Sequence, residues 1–129
     1  FAEKLWLEYV ASRARPRVSE AVLNDPNAPL FPKMEGRYVF KHAVTRMPEV
    51  IREALGQNGL SVADLDLLVP HQANIRINQA AAEALGLAPE RVFNNIQRYG
   101  NTTAASIPIA LSEAIEAGLV RQGSLLCLA

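Results

Sequence analysis

Helix-period and strand-length segments alternate along this chain, and that alternation is what most restricts its fold. From Val39 the apolar residues Phe40, Ala43, Val44, Met47, Val50, Ile51, Ala54 and Leu55 recur at three- and four-residue steps until Gln57-Asn58-Gly59 ends the pattern. This is the period of an amphipathic helix. Pro48 has no amide hydrogen and is expected to kink or divide it. Ser61 can cap a short helical turn through Asp64, and Leu65 to Val69 is a continuous apolar run of strand length closed by Pro70. Ile75, Gln79, Ala82 and Leu85 mark one face of a second helix that stops at Gly86. Pro89 opens a further helical turn and Val92 to Ile96 reads as a strand. Ala104 to Ala117 reads as a third helix ended by Gly118, and Ser124 to Ala129 as a last strand. Such an order describes an α/β structure, with a largely parallel or mixed sheet covered by helices.

Residues 1–35 are different in kind. Glu3 to Val10 sets Leu5, Leu7 and Tyr9 on one alternation against Trp6, Glu8 and Val10, which favours a strand over a short helix. Ala11 to Met34 carries Pro16, Pro26, Pro29 and Pro32 with the turn-forming Asn24-Asp25-Pro26-Asn27, and reads as a loop crossing the surface. No repeat or linker separates two domains. Residues 1–35 are therefore expected to form a loop-rich leading segment of the same domain as 36–129. Both ends look cut, since Phe1 opens without an initiator Met and the chain stops inside the apolar run Leu125 to Ala129.

At 129 residues the chain has the size of one ordinary domain. Half the residues are apolar, a fifth are charged, and 13 Lys plus Arg balance 13 Asp plus Glu, which describes a soluble globular protein. Zero formal charge removes the long-range attraction that non-specific phosphate binding needs, so no nucleic-acid partner is expected. No apolar stretch approaches the ~20 residues that span a bilayer and no signal peptide opens the chain, so no membrane partner is expected either. Cys127 is the only cysteine. It cannot form an internal disulfide, and a cytoplasmic location is the natural reading. His42 and His71 are far apart in sequence and no metal-ligand spacing surrounds Cys127, so neither a metal nor another cofactor is expected.

The polar residues that matter lie at strand ends. His71 directly follows one expected strand and Asn101 sits in the loop after another, where open α/β sheets place their ligand sites. An imidazole and a carboxamide can both donate to one oxygen that is gaining negative charge, and neither repels the incoming anion. In a decarboxylating condensation that oxygen belongs to an enolate, and deleting one such donor typically loses a factor of ~10² to 10³ in rate. The same residues have a plainer reading. A His after a strand is commonly a structural hydrogen-bonding group, and Gly-Asn is a common turn.

Three separated blocks decide between these readings: GRYVFKHAV (Gly36 to Val44), VPHQANIRI (Val69 to Ile77) and YGNTTAASIPIAL (Tyr99 to Leu111). In order and spacing they resemble the C-terminal half of β-ketoacyl-acyl-carrier-protein synthase III, from about Gly36 to the end. The resemblance implies the thiolase fold, in which two similar α/β halves pack in five layers, and a homodimer with a Cys-His-Asn triad. It makes His71 the triad histidine and Asn101 the triad asparagine. It also implies acyl-CoA and malonyl-acyl-carrier protein as substrates and acyl carrier protein as a partner. The nucleophilic cysteine belongs to the family's other half and is absent here. Cys127 does not replace it, because it lies in an apolar strand where a buried, inert thiol is expected. The chain by itself is therefore not expected to complete the reaction.

By the same resemblance, Arg76 and Lys41 would help attract the acidic carrier protein, the alternative being solvated charges on helix faces. Asn74 would support the site by a hydrogen bond or cap the helix that follows. His42 has no motif around it and reads as a surface or packing residue, and Ala104, Ala105 and Ser106 are small enough to let their helix approach closely. The expected function is decarboxylative condensation that starts fatty acid synthesis. A ketosynthase of polyketide or other secondary metabolism shares the triad, and a non-catalytic carrier-binding fragment is the reading from another class.

Overall fold

The computed structural model describes residues 4–6, 19–27 and 33–129. Two compact units divide the chain, Phe1–Lys41 and His42–Ala129.

In the first unit, strand β1 (Leu5–Trp6) pairs antiparallel with β2 (Lys33–Met34), placing Leu5 opposite Met34 and Trp6 opposite Lys33. A Lys4–Glu35 ion pair at 2.8 Å flanks the ladder. The surface loop expected over 11–34 contains a helical turn, α1 (Glu20–Leu23). It forms because the Ser19 hydroxyl accepts the Val22 amide at 3.3 Å and supplies the cap that a turn this short needs. The Asn-Asp-Pro-Asn turn is present as expected, with Asp25 Oδ1 accepting the Asn27 amide at 2.8 Å. Residues 7–18 and 28–32, with most of the strand expected over 3–10, lie outside the described residues.

Helix α2 (Gly36–Gln57) begins in the first unit and continues in the second. Pro48 does not divide it. The missing amide leaves the Val44 carbonyl without its intrahelical donor, but the Pro48 ring is buried, as are Ile51 and Leu55.

The second unit is built on β3 (Leu67–Val69), which pairs in parallel with β4 (Leu126–Leu128), Leu68 lying opposite Cys127. All of β3 is buried, as the unbroken apolar run requires of a strand covered on both faces. The strand expected over Val92–Ile96 shrinks to a single parallel bridge between Val92 and Leu68. From Asn94 the backbone turns away, because the Asn95 and Ile96 amides are taken by the Gln72 side chain and Ile96 opens a short helix, α4 (Ile96–Tyr99).

Side chains alternate across the sheet and create two cores. Leu68, Val92 and the half-buried Cys127 pack with Ile51 and Leu55 of α2 and with Ala82 and Leu85 of α3 (Ile75–Leu85). Leu67, Val69 and Leu126 pack on the opposite face with Ala110 and Ala114 of α5 (Ser106–Glu116). Both alanines are fully buried and bring α5 close to the strands. Helix α3 ends as expected at Gly86, whose φ of 70° is a left-handed cap that a Cβ would strain.

Candidate active site

The end of β3 delivers His71 to the rim of the sheet. Pairing with the last strand continues past Val69, since Ala129 donates its amide to the Val69 carbonyl at 3.3 Å and His71 donates its own to the Ala129 carbonyl at 2.5 Å. The next residues turn into α3, where Asn74 caps the helix by accepting the Arg76 amide at 3.0 Å. That is the capping alternative for Asn74. The His71 side chain is half-buried, with Nδ1 2.5 Å from the Ser106 hydroxyl at the start of α5.

Gln72, 1% exposed, holds the neighbouring segments together. Its Nε2 donates to the carbonyls of Pro70 at 2.8 Å and Phe93 at 3.2 Å. Its Oε1 accepts the amides of Asn95 at 3.1 Å and Ile96 at 3.2 Å. Its own backbone amide donates to Ser106 Oγ at 3.3 Å. One buried residue thus joins the exit of β3, the entrance of α4 and the first turn of α5, and every polar atom of its amide is satisfied.

Asn101 lies between α4 and a single 3₁₀ turn, Thr103–Ala105, that leads into α5. It follows a short helix, not the strand the sequence suggested. Gly100 makes the approach with φ 67° and ψ −160°, a conformation open essentially to glycine alone. Asn101 Oδ1 accepts the Thr103 amide at 2.9 Å, closing a turn in which Thr103 itself takes a positive φ of 52°. Only the carboxamide oxygen can accept from that amide, so the orientation is fixed and both amide hydrogens sit on Nδ2, which has no hydrogen-bond partner among the described residues.

Helix α4 is fastened to α5 by Glu113. Its carboxylate accepts from the buried Asn95 Nδ2 at 2.8 Å, from the Arg98 guanidinium and from the Tyr99 hydroxyl. The Tyr99 and Asn95 hydrogen bonds, in that order, with the Arg98 charge, hold the Glu113 carboxyl below the usual carboxylate range, and the same contact raises the Tyr99 phenol.

Arg76 stands exposed on the first turn of α3, with no ion pair among the described residues. Lys41, also exposed, belongs to the first unit. His42 is half-buried in α2. Burial raises the Cys127 thiol, which keeps it in its unreactive form. Two surface hollows in the second unit include neither His71 nor Asn101. Sequence reasoning missed Gln72, Asn95, Glu113 and the hydroxyl of Ser106. For Gln72 and Asn95 the available signal was an amide side chain in or beside a segment expected to be buried, where an unpaired polar group is costly.

Residues 55–129 match the family model described as 3-oxoacyl-[acyl-carrier-protein] synthase III C terminal. The chain is 55% identical over 92 residues to the β-ketoacyl-[acyl-carrier-protein] synthase III of Symbiobacterium thermophilum, covering 71% of this chain and 28% of that protein. It is 54% identical over 94 residues to the Aquifex aeolicus protein of the same name, covering 73% and 30%. Among solved structures, β-ketoacyl-[acyl carrier protein] synthase III from Thermus thermophilus superposes with a TM-score of 0.81 at 45% identity, covering 98% of this chain and 37% of that one. The fold expected from the sequence is therefore the fold found, and the chain spans under a third of the length of these curated relatives.

Proposed function

Because the chain belongs to the 3-oxoacyl-[acyl-carrier-protein] synthase III family, as its C-terminal part, we propose that it supplies the enolate-stabilising half of a decarboxylating ketosynthase. In the intact enzyme an acyl group from acyl-CoA is carried on a cysteine contributed by the rest of the protein. Malonyl-acyl-carrier protein then loses carbon dioxide, and the electron pair of the broken C–C bond passes into an enolate. His71 and Asn101 hold the enolate oxygen. The enolate carbon attacks the acyl thioester, forms the new C–C bond and expels the cysteine thiolate, leaving a β-ketoacyl product that starts fatty acid synthesis.

The observation that carries this reading is shared by the two side chains. His71 Nδ1 is engaged by Ser106 and Asn101 Oδ1 by the Thr103 amide, so each side chain keeps one nitrogen for a substrate: Nδ2 on the carboxamide, which can only donate, and Nε2 on the imidazole, which donates in the tautomer that carries its proton there. Two uncharged donors suit an oxyanion, whose stabilisation is commonly the largest single contribution to such a reaction. Arg76 and Lys41 serve as electrostatic contacts for the acidic carrier protein and change affinity and salt dependence more than chemistry. The working enzyme is a cytoplasmic homodimer.

His71→Ala and Asn101→Ala in the intact protein test the proposal through carbon dioxide release from malonyl-carrier protein. Each is expected to abolish it. Near-normal release in both variants would eliminate the reading.

A further inference from the structure

We propose that Ser106 is a positioning residue that fixes the tautomer of His71, its hydroxyl donating to Nδ1 so that the ring proton sits on Nε2. This rests on the synthase reading and adds a residue to it. A neutral imidazole has one N–H and one acceptor nitrogen, and only the tautomer protonated at Nε2 can donate to an enolate oxygen from the nitrogen left free.

The direction of the Ser106 bond follows from counting protons. Ser106 is 2% exposed, and its oxygen lies 3.3 Å from the Gln72 backbone amide and 2.5 Å from His71 Nδ1. The amide can only donate, so it occupies a lone pair on the hydroxyl oxygen. The hydroxyl hydrogen then needs an acceptor, and among the described residues Nδ1 is the one within reach. Were Nδ1 to carry the proton instead, the hydroxyl would accept twice and its hydrogen would be buried without a partner, which is unfavourable. The Gln72 amide therefore polarises Ser106 toward donation, and Ser106 imposes Nε2–H on His71. Ser106 lies on the helix that directly follows the Asn101 loop, so the contact also holds the two donor-bearing segments together.

The test uses the full-length synthase labelled with ¹⁵N-histidine. His71 in the wild-type protein is expected to show the protonated nitrogen at Nε2. Ser106→Ala should broaden or shift the population toward Nδ1–H and lower kcat for malonyl decarboxylation about tenfold with KM unchanged, a smaller loss than the ~10² to 10³ of deleting a donor outright. Ser106→Thr, which keeps the hydroxyl, should restore both readouts. Protonation at Nδ1 in the wild type overturns the inference without any variant, so it survives as a question even where Ser106→Ala does not fold. An unchanged tautomer and rate in folded Ser106→Ala overturn it as well. An unchanged tautomer with Nε2 protonated in Ser106→Ala leaves the His71 donor in place, whereas near-normal decarboxylation in His71→Ala overturns the synthase reading itself, so the two ideas fail separately.

Discussion

Asn95 donates its buried amide to Glu113 across 2.8 Å, and this bond ties the start of α4 to the third turn of α5. Asn101 lies on the chain between those two points, so the bond closes the segment that carries it. Arg98 and Tyr99 close on the same carboxylate from the last turn of α4.

Replacing Glu113 with Gln should loosen that segment, since an amide cannot accept from all three donors. A drop of several degrees in Tm is expected, together with slower decarboxylation. The pH dependence follows from the sign of the shift. A carboxyl held below its unfolded value stabilises the fold above the unfolded pKa, and that contribution is lost as pH falls through the lower, folded value. Thermal melts should therefore show an acid-side decline below the ordinary carboxylate range that is flatter in Glu113→Gln.

Gln72→Leu keeps approximate size but removes two acceptor contacts and two donor contacts from a site that water does not reach. Orphaned buried groups cost about 1–3 kcal/mol each, so a loss on the order of 3 kcal/mol or more is expected by denaturant unfolding. A cost within ~0.5 kcal/mol would show that the four bonds are not formed together.

Asn101→Asp separates loop geometry from donor chemistry. The carboxylate can still accept the Thr103 amide, so Tm should stay near wild type. It can no longer donate to an oxyanion and repels it, so decarboxylation should fall by at least ~10² to 10³.

Gly100→Ala isolates backbone conformation, because an added Cβ meets nothing within 4 Å. Any cost comes from φ and ψ alone and should be about 1–3 kcal/mol. A neutral result in unfolding experiments would mean that the turn relaxes without Gly100.

The regular parts of this fold were legible because each rests on a local rule. Leu65 to Val69 announced a buried strand by its unbroken apolar run, and Gly86 announced the end of α3 by its freedom at positive φ. The failures have separate physical sources. Val92 to Ile96 looked like a strand because apolar residues bracket Asn94 and Asn95, but the Gln72 side chain, 20 or more residues away in sequence, captures the amides that a ladder would have used. The helical turn after Ser19 was hidden by nearby prolines. His71 and Asn101 were legible as candidates from their motifs, whereas Ser106 and Glu113 were not, since a hydroxyl or carboxylate on an amphipathic helix looks the same whether it faces water or a buried partner.

The left-handed turn at Thr103 has an engineering consequence. A β-branched residue there leaves strain of about 1–3 kcal/mol in the backbone beside Asn101. Asn tolerates this geometry better, so Thr103→Asn is an obvious route to a sturdier protein. The same relaxation would free the carboxamide's neighbour to move, and a thermostabilised version changed at this position is expected to turn over more slowly than one whose loop is left alone.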